Sequence, residues 1–257
     1  MIASIETFGE SYSTDLSKPI DISIPLHPDG PRAWYVDKMT IEPVMTDRFT
    51  GSVAKGGAVN FRNIAFNPHG HGTHTETVGH IDNEIISINR TLNKFFFLAE
   101  LLTIAPKPFT GREEEFKKHG DRIITQADVD LAIGDRKCEA LIIRSVPNTD
   151  EKLSKNYSNT NPVYFEPGAL NFMRAKGIKH LLTDLPSVDR EEDGRKLLAH
   201  RAFWHGNRPD DLECTITEFI YVPDSVADGT YLLNLQIVSF ENDASPSKPV
   251  LYKIEKE

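Results

Sequence analysis

Four of the chain's nine histidines fall within one short run, His69-Gly70-His71-Gly72-Thr73-His74-Thr75-Glu76-Thr77-Val78-Gly79-His80. Imidazoles and a carboxylate are the donors that divalent cations select, and packing them so densely is a poor way to build a solvated loop. One histidine would carry no such weight, because a hydrogen-bonded loop residue explains it. Three or four with a glutamate point to a metal centre. Spacing excludes the familiar alternatives. His74-Thr75-Glu76 matches the first half of the zinc deaminase signature, yet no Pro-Cys-x-x-Cys follows it. The zincin helix needs two histidines four apart, and position 78 is valine. No GxSxG elbow or Walker loop occurs.

Residues of equal parity face one side of an extended chain, so His74, Glu76 and His80 would share a face. His69 and His71 have the other parity. One of them can join only through a bulge, which Gly70 and Gly72 permit. Glycines and threonines disfavour the helix that would otherwise pair Glu76 with His80. A cation held here needs donors from elsewhere in the chain. His200 or His205 can supply an imidazole, and Glu218 a carboxylate from the run Thr215-Ile216-Thr217-Glu218-Phe219-Ile220. Glu218 shares parity with Ile216 and Ile220, which would turn it to the apolar side; a solvent-facing glutamate is an equal competitor. Trp34, Phe203 and Trp204 could wall an aromatic substrate, although core packing is the commoner use of such residues. Asp184 and Asp189 flank Pro186 in an expected post-strand loop, where they either meet substrate or form turns.

The elements that must position these groups are mostly strands. Expected strands are Asp21–Ile24, Phe95–Ile104, Ala140–Val146, Ile178–Thr183, Thr215–Val222 and Tyr231–Phe240, all rich in branched or aromatic residues. Thr125 with Asp128 forms a capping pair that opens a helix stopped by Gly134. Glu166-Pro167 opens a second, closed by Gly177. The pattern predicts an α+β fold with a large mixed or antiparallel sheet, and no repeat or linker divides residues 1–257, so a single domain is expected. Net charge −9 argues against a nucleic-acid partner, and no apolar run suits a bilayer. No export signal is read at the N-terminus, and Cys138 and Cys214 are too far apart for a CxxC site, so a cytoplasmic protein with reduced thiols is expected.

The segments Gly72-Thr73-His74-Thr75-Glu76 with His80, Leu182–Asp189, Ala199–Phe203 and Glu218–Ile220 together resemble the Putative cyclase family, which includes bacterial kynurenine formamidases and isatin hydrolases. Its motif is H-x-G-T-H-x-D-x-P-x-H, completed by a later His and Glu, and the likeness runs from about Asp21 almost to the C-terminus. The resemblance implies a barrel-like core of the swivelling β/β/α type with flanking helices. It implies that His74 and Glu76 bind metal, that His80 transfers protons, and that His200 and Glu218 complete the site. In the family that site holds one manganese or a pair of zinc ions. Three positions depart from the motif. Gly70 stands at its first His, so His69 or His71 must substitute through a local shift; Glu76 replaces Asp, and Val78 replaces Pro.

The function expected on these grounds is metal-dependent hydrolysis of a non-peptide amide, such as an aryl formamide or a cyclic amide, with His80 and Glu218 as catalytic groups. The competing reading is a non-catalytic metal- or ligand-binding protein on the same scaffold. Expected partners are a small-molecule substrate and further copies of the chain, as a homodimer or homotetramer.

Overall fold

The protein was analysed as a computed structural model, which describes residues 1–205 and 209–257. The chain opens on a hairpin, β1 (Ile2–Thr7) and β2 (Glu10–Asp15). Further strands are β3 (His74–Glu76), β4 (Phe96–Ile104), β5 (Ala140–Ser145), β6 (His180–Thr183) and β7 (Thr215–Glu218). The last two are β8 (Gly229–Ile237) and β9 (Ala244–Lys256). Among the described residues the three longest α-helices that flank them are α1 (Gln126–Ile133), α2 (Pro167–Ala175) and α3 (Leu198–Phe203), beside one short turn of helix at Ile88–Thr91.

Seven strands close on themselves in the order β9-β8-β4-β5-β6-β7-β3 and back to β9. Neighbours from β4 to β7 run parallel, and the remaining pairings are antiparallel. The result is a mixed barrel of the expected α+β class. Parallel strands in such a wall are covered on both faces, which is why Ala140–Ser145 is buried throughout and reads as an unbroken apolar run. Leu141 and Ile143 join an outer layer with Val129, Leu170, Met173 and Phe203 from the helices. Ile142 joins the barrel interior with Leu101, Leu182, Leu233 and Leu251. Both cysteines are buried and unpaired. Among the described residues no helix is long and apolar enough to cross a membrane.

Local signals act as the sequence predicts in both longer helices. Thr125 Oγ1 accepts from the Asp128 amide, while the Asp128 carboxylate accepts from the Thr125 amide at 3.0 Å. Strand ends differ from expectation. β7 stops at Glu218 because Phe219 takes a left-handed φ of 56°, turning the chain away from the wall. β8 stops at Ile237, and the expected strand at Asp21 shrinks to Ile20–Asp21 paired with β9. β9 itself was not expected; Pro246 and Pro249 disguise it as loop. An arm spanning residues 40–65 leaves the body and returns beside the histidine run, with Thr40–Pro43 paired to Arg62–Ala65. Its Phe61 and Ile64 are each 58% exposed.

Candidate metal centre

Strand register brings the first donors together. Antiparallel pairing of β3 with β7 sets Glu218 opposite His74, and Ile216 opposite Glu76. Ile216 belongs to the outer core layer with Phe203 and Trp204, so His74, Glu76 and Glu218 project towards α3. The other face of the pair carries the hydrogen bond between Thr75 Oγ1 and Thr217 Oγ1, 2.8 Å. The site therefore lies between the barrel wall and α3, outside the lumen.

Turns then add the neighbouring imidazoles. After Glu76 the chain makes one 3-10 turn, Val78–His80, whose Thr77 side chain accepts from the Gly79 amide. This turn folds His80 back over the strand, in place of the straight extension that parity implied. Before the strand, the Asn67 side chain accepts from the amides of His69 and Gly70. Gly70 has no room for a Cβ, which would lie 2.8 Å from Val36, and Gly72 uses a φ of 60° to enter β3. That tight turn delivers His69 to the site. His71 points elsewhere: Nδ1 accepts from the Asn67 amide and Nε2 lies 2.8 Å from the Asp37 carbonyl. Of the two candidates for the motif's first imidazole, His71 is thus excluded by its orientation.

Glu76 is the hub. Its Oε2 lies 2.9 Å from His69 Nδ1 and 3.9 Å from His80 Nδ1, and its Oε1 lies 3.0 Å from His200 Nε2. Glu218 Oε2 is 3.4 Å from His74 Nε2, while Oε1 accepts from the Val188 amide. His200 comes from α3 and is fixed by Asp189, whose carboxylate meets His200 Nδ1 at 2.5 Å and the Ala199 amide at 2.6 Å. His205, the alternative to His200, instead sits 4.0 Å from Asp211 and does not join the cluster. Asp243 joins without having been foreseen: its Oδ2 is 2.8 Å from His69 Nε2 and 3.5 Å from His80 Nδ1. Three overlapping groups, His69–His80–Asp243, His69–His74–Glu76 and Glu76–His80–His200, each bring donor atoms within 4.8 Å of one another. Phe203 and Trp204 are fully buried, and Trp204 stacks on His200, so they support the site from the core. Trp34 is the aromatic that faces the cavity over the cluster, whose volume is about 350 Å³.

The donor set fits a divalent cation. His74 Nε2 is buried without a hydrogen-bond partner, a costly condition that a bound cation would relieve. His200 turns Nδ1 to Asp189, which leaves Nε2 facing the Glu76 carboxylate; only a proton or a cation makes that contact favourable. Without a cation, protons do the work. Burial opposes charging His69, but hydrogen bonds to Asp243 and Glu76 overcome it and push its pKa up to about 10. His200, against Asp189 and Glu76, is likewise raised despite burial. Burial opposes ionising Glu76 and Asp243, yet their imidazole neighbours hold both carboxyls below the usual range.

A group whose folded pKa is raised stabilises the fold fully below its unfolded value and loses that contribution as pH climbs through the folded value. Chelator-treated protein should therefore show a urea midpoint that falls from about pH 6.5 towards about pH 10 as His69 deprotonates. Metal-loaded protein, whose imidazoles have already given up those protons, should lack the fall. A flat profile for the chelated form would refute the charged-imidazole account.

The chain is 26% identical over 242 residues to the kynurenine formamidase of Bacillus thuringiensis (strain Al Hakam), covering 93% of this chain and 99% of that protein. The fold is similar to the structure of a metal-dependent hydrolase, itself assigned by prediction, from Bacillus stearothermophilus: TM-score 0.61 at 16% identity, covering 91% of this chain and 98% of that one. An isatin hydrolase bound to the product analogue thioisatinate matches at TM-score 0.61 and 13% identity, covering 93% of each chain. The family model described as Putative cyclase matches residues 14–190, more than half of the sequence, and the chain therefore belongs to the cyclase family.

Proposed function

We propose that this protein is a metal-dependent hydrolase of a non-peptide amide, an aryl formamide or a cyclic amide, using zinc or manganese. The observation that carries this reading is the buried His74 Nε2, which makes no hydrogen bond and lies 3.4 Å from the Glu218 carboxylate, within a knot of imidazoles and carboxylates under an open cavity. His69, His74, Glu76, His200, Glu218 and the unforeseen Asp243 would hold the cation or cations. Once bound, such an ion acidifies water and polarises the amide carbonyl.

The chain's own residues supply the rest. Asp189 fixes the ring of His200, so that Nε2 stays aimed at the site. His80 lines the cavity and is 28% exposed, the position of a group that exchanges protons with substrate. It would take a proton from water and return one to the leaving nitrogen as the C–N bond breaks, giving a carboxylate and an amine. Trp34 would bound the aryl or ring portion of the substrate. The formamidase and isatin hydrolase names among its relatives support the bond type.

Metal analysis by mass spectrometry on protein purified without chelator should find at least one zinc or manganese per chain. Formanilide should then release formate, and chelation should abolish the release. Protein lacking stoichiometric metal and unable to take it up would overturn the reading.

A further inference from the structure

The arm of residues 40–65 contributes no donor to the metal centre, yet its backbone is fully specified. Thr40–Pro43 pairs with Arg62–Ala65, and Met45–Thr46 with Phe49–Thr50. Between these pairs the Val44 amide donates to the Phe61 carbonyl at 2.9 Å, the Gly51 amide to the Val44 carbonyl at 2.8 Å, and the Phe61 amide to the Gly51 carbonyl at 3.1 Å. Gly51 is required at that crossing, since a Cβ there would lie 2.4 Å from the Phe61 carbonyl oxygen. Among the described residues the four short strands pair only with one another.

Such a ribbon has no core. Met45, Phe49, Val53, Val59, Phe61 and Ile64 are all between 39 and 58% exposed, and in the whole arm only Gly51 and Ser52 are buried. An isolated two-stranded ribbon is marginal in water, because little offsets the conformational entropy lost on ordering it. The edge-on contact of Phe49 with Phe61, ring centroids 5.8 Å apart, is too small to do so alone. The ordered arm therefore needs a cover.

Three observations identify that cover as a second copy of the chain. The first is area. Six large apolar side chains at about half exposure leave on the order of 600 Å² in water, and the polar residues between them bring the arm to the roughly 800 Å² per partner that a stable interface buries. The second is charge. In the arm Arg48, Lys55 and Arg62 outnumber Glu42 and Asp47, whereas the whole chain carries −9, so the arm is drawn to the acidic body of another copy. The third is where the arm is rooted. Arg62–Ala65 runs through Phe66 into Asn67, whose side chain sets the turn that aims His69. The segment before the arm supplies Val36, packed on Gly70, and the Asp37 carbonyl, 2.8 Å from His71 Nε2. A ribbon rooted beside the metal centre needs its cover whenever the centre is folded, and the partner present from synthesis onward is the chain itself.

We propose that residues 40–65 form a dimerisation arm, each copy laying its ribbon across the body of the other, with Phe49, Phe61 and Ile64 at the centre of the buried area. A reciprocal exchange of this kind is isologous and closes at two copies. It stands whether or not the site hydrolyses an amide.

Sedimentation equilibrium on the full, metal-loaded chain should give twice the 28.9 kDa of one copy. The double variant F61D/I64D sets two carboxylates at the centre of the interface and should raise the dissociation constant at least a hundredfold. L131D, at an 87% exposed position on α1 far from the arm in sequence, should leave it unchanged. Because both arm positions lie outside the core, the double variant should keep the circular dichroism of the wild type. A second measurement needs no variant: in the wild type the amides of residues 44–61 should exchange hydrogen slowly at concentrations where the dimer forms and fast below them. A monomeric wild type, an assembly that F61D/I64D leaves intact, or arm amides that exchange fast at every concentration would overturn the proposal.

Discussion

Replacing Glu76 with glutamine is expected to strip the protein of stoichiometric metal and to lower kcat/KM by about a thousandfold. The reason is the number of partners that depend on one carboxylate. Glu76 faces His69, His80 and His200 at once, and it is fully buried, so no water can stand in for its charge. An amide of the same shape keeps the packing but cannot neutralise a cation or hold three imidazoles in their present tautomers. Several kcal/mol of charge stabilisation leave with the ion, which sets the expected loss in rate. Glu76→Asp, which restores the family motif's own residue, should keep the metal. Metal analysis and formate release on both variants, with circular dichroism to establish folding, make the comparison. An E76Q protein that retains its metal would remove Glu76 from the centre.

The histidine run was legible because its chemistry is local. Donor types, glycines and spacing all lie within twelve residues of sequence, as does the choice of strand over helix. What eluded the sequence depends on pairing between distant segments. His69 and His71 have the same parity and share Gly70 as a neighbour; only the turn built on Asn67, against Val36 of a separate segment, decides which ring faces the site. Asp243 sits in a turn where a carboxylate is ordinarily solvated. It reaches the site because β9 pairs with β3, placing Ala244 opposite Glu76, and the prolines of β9 concealed that strand. Glu218 could be read as inward or outward from its own strand. The barrel settles it, since β7 is walled on both sides and offers no solvent face. The helix signals at Thr125 and Pro167 needed no such help, because caps act within one turn.

His80→Ala should lower turnover by about 10²- to 10⁴-fold while leaving the metal in place. The prediction separates two roles that geometry alone allows. His80 belongs to two of the groups whose donors converge, so it could serve as a ligand. Burial argues for the other role: His74 on β3 and His200 on α3 are fully buried, whereas His80 is 28% exposed. Its Nδ1 is also a long 3.5 Å from Asp243 and 3.9 Å from Glu76, looser than the contacts of His69 and His200. A ring held by one 3-10 turn, with room to tilt, suits proton transfer to a substrate nitrogen better than a fixed coordination bond. In the variant kcat should fall with little change in KM, one limb of the pH–rate profile should flatten, and added imidazole should recover part of the rate. Loss of metal together with activity would make His80 a ligand. Full activity without it would send the proton by another route, and a wild-type protein that binds metal yet turns over no amide would belong to the non-catalytic reading instead.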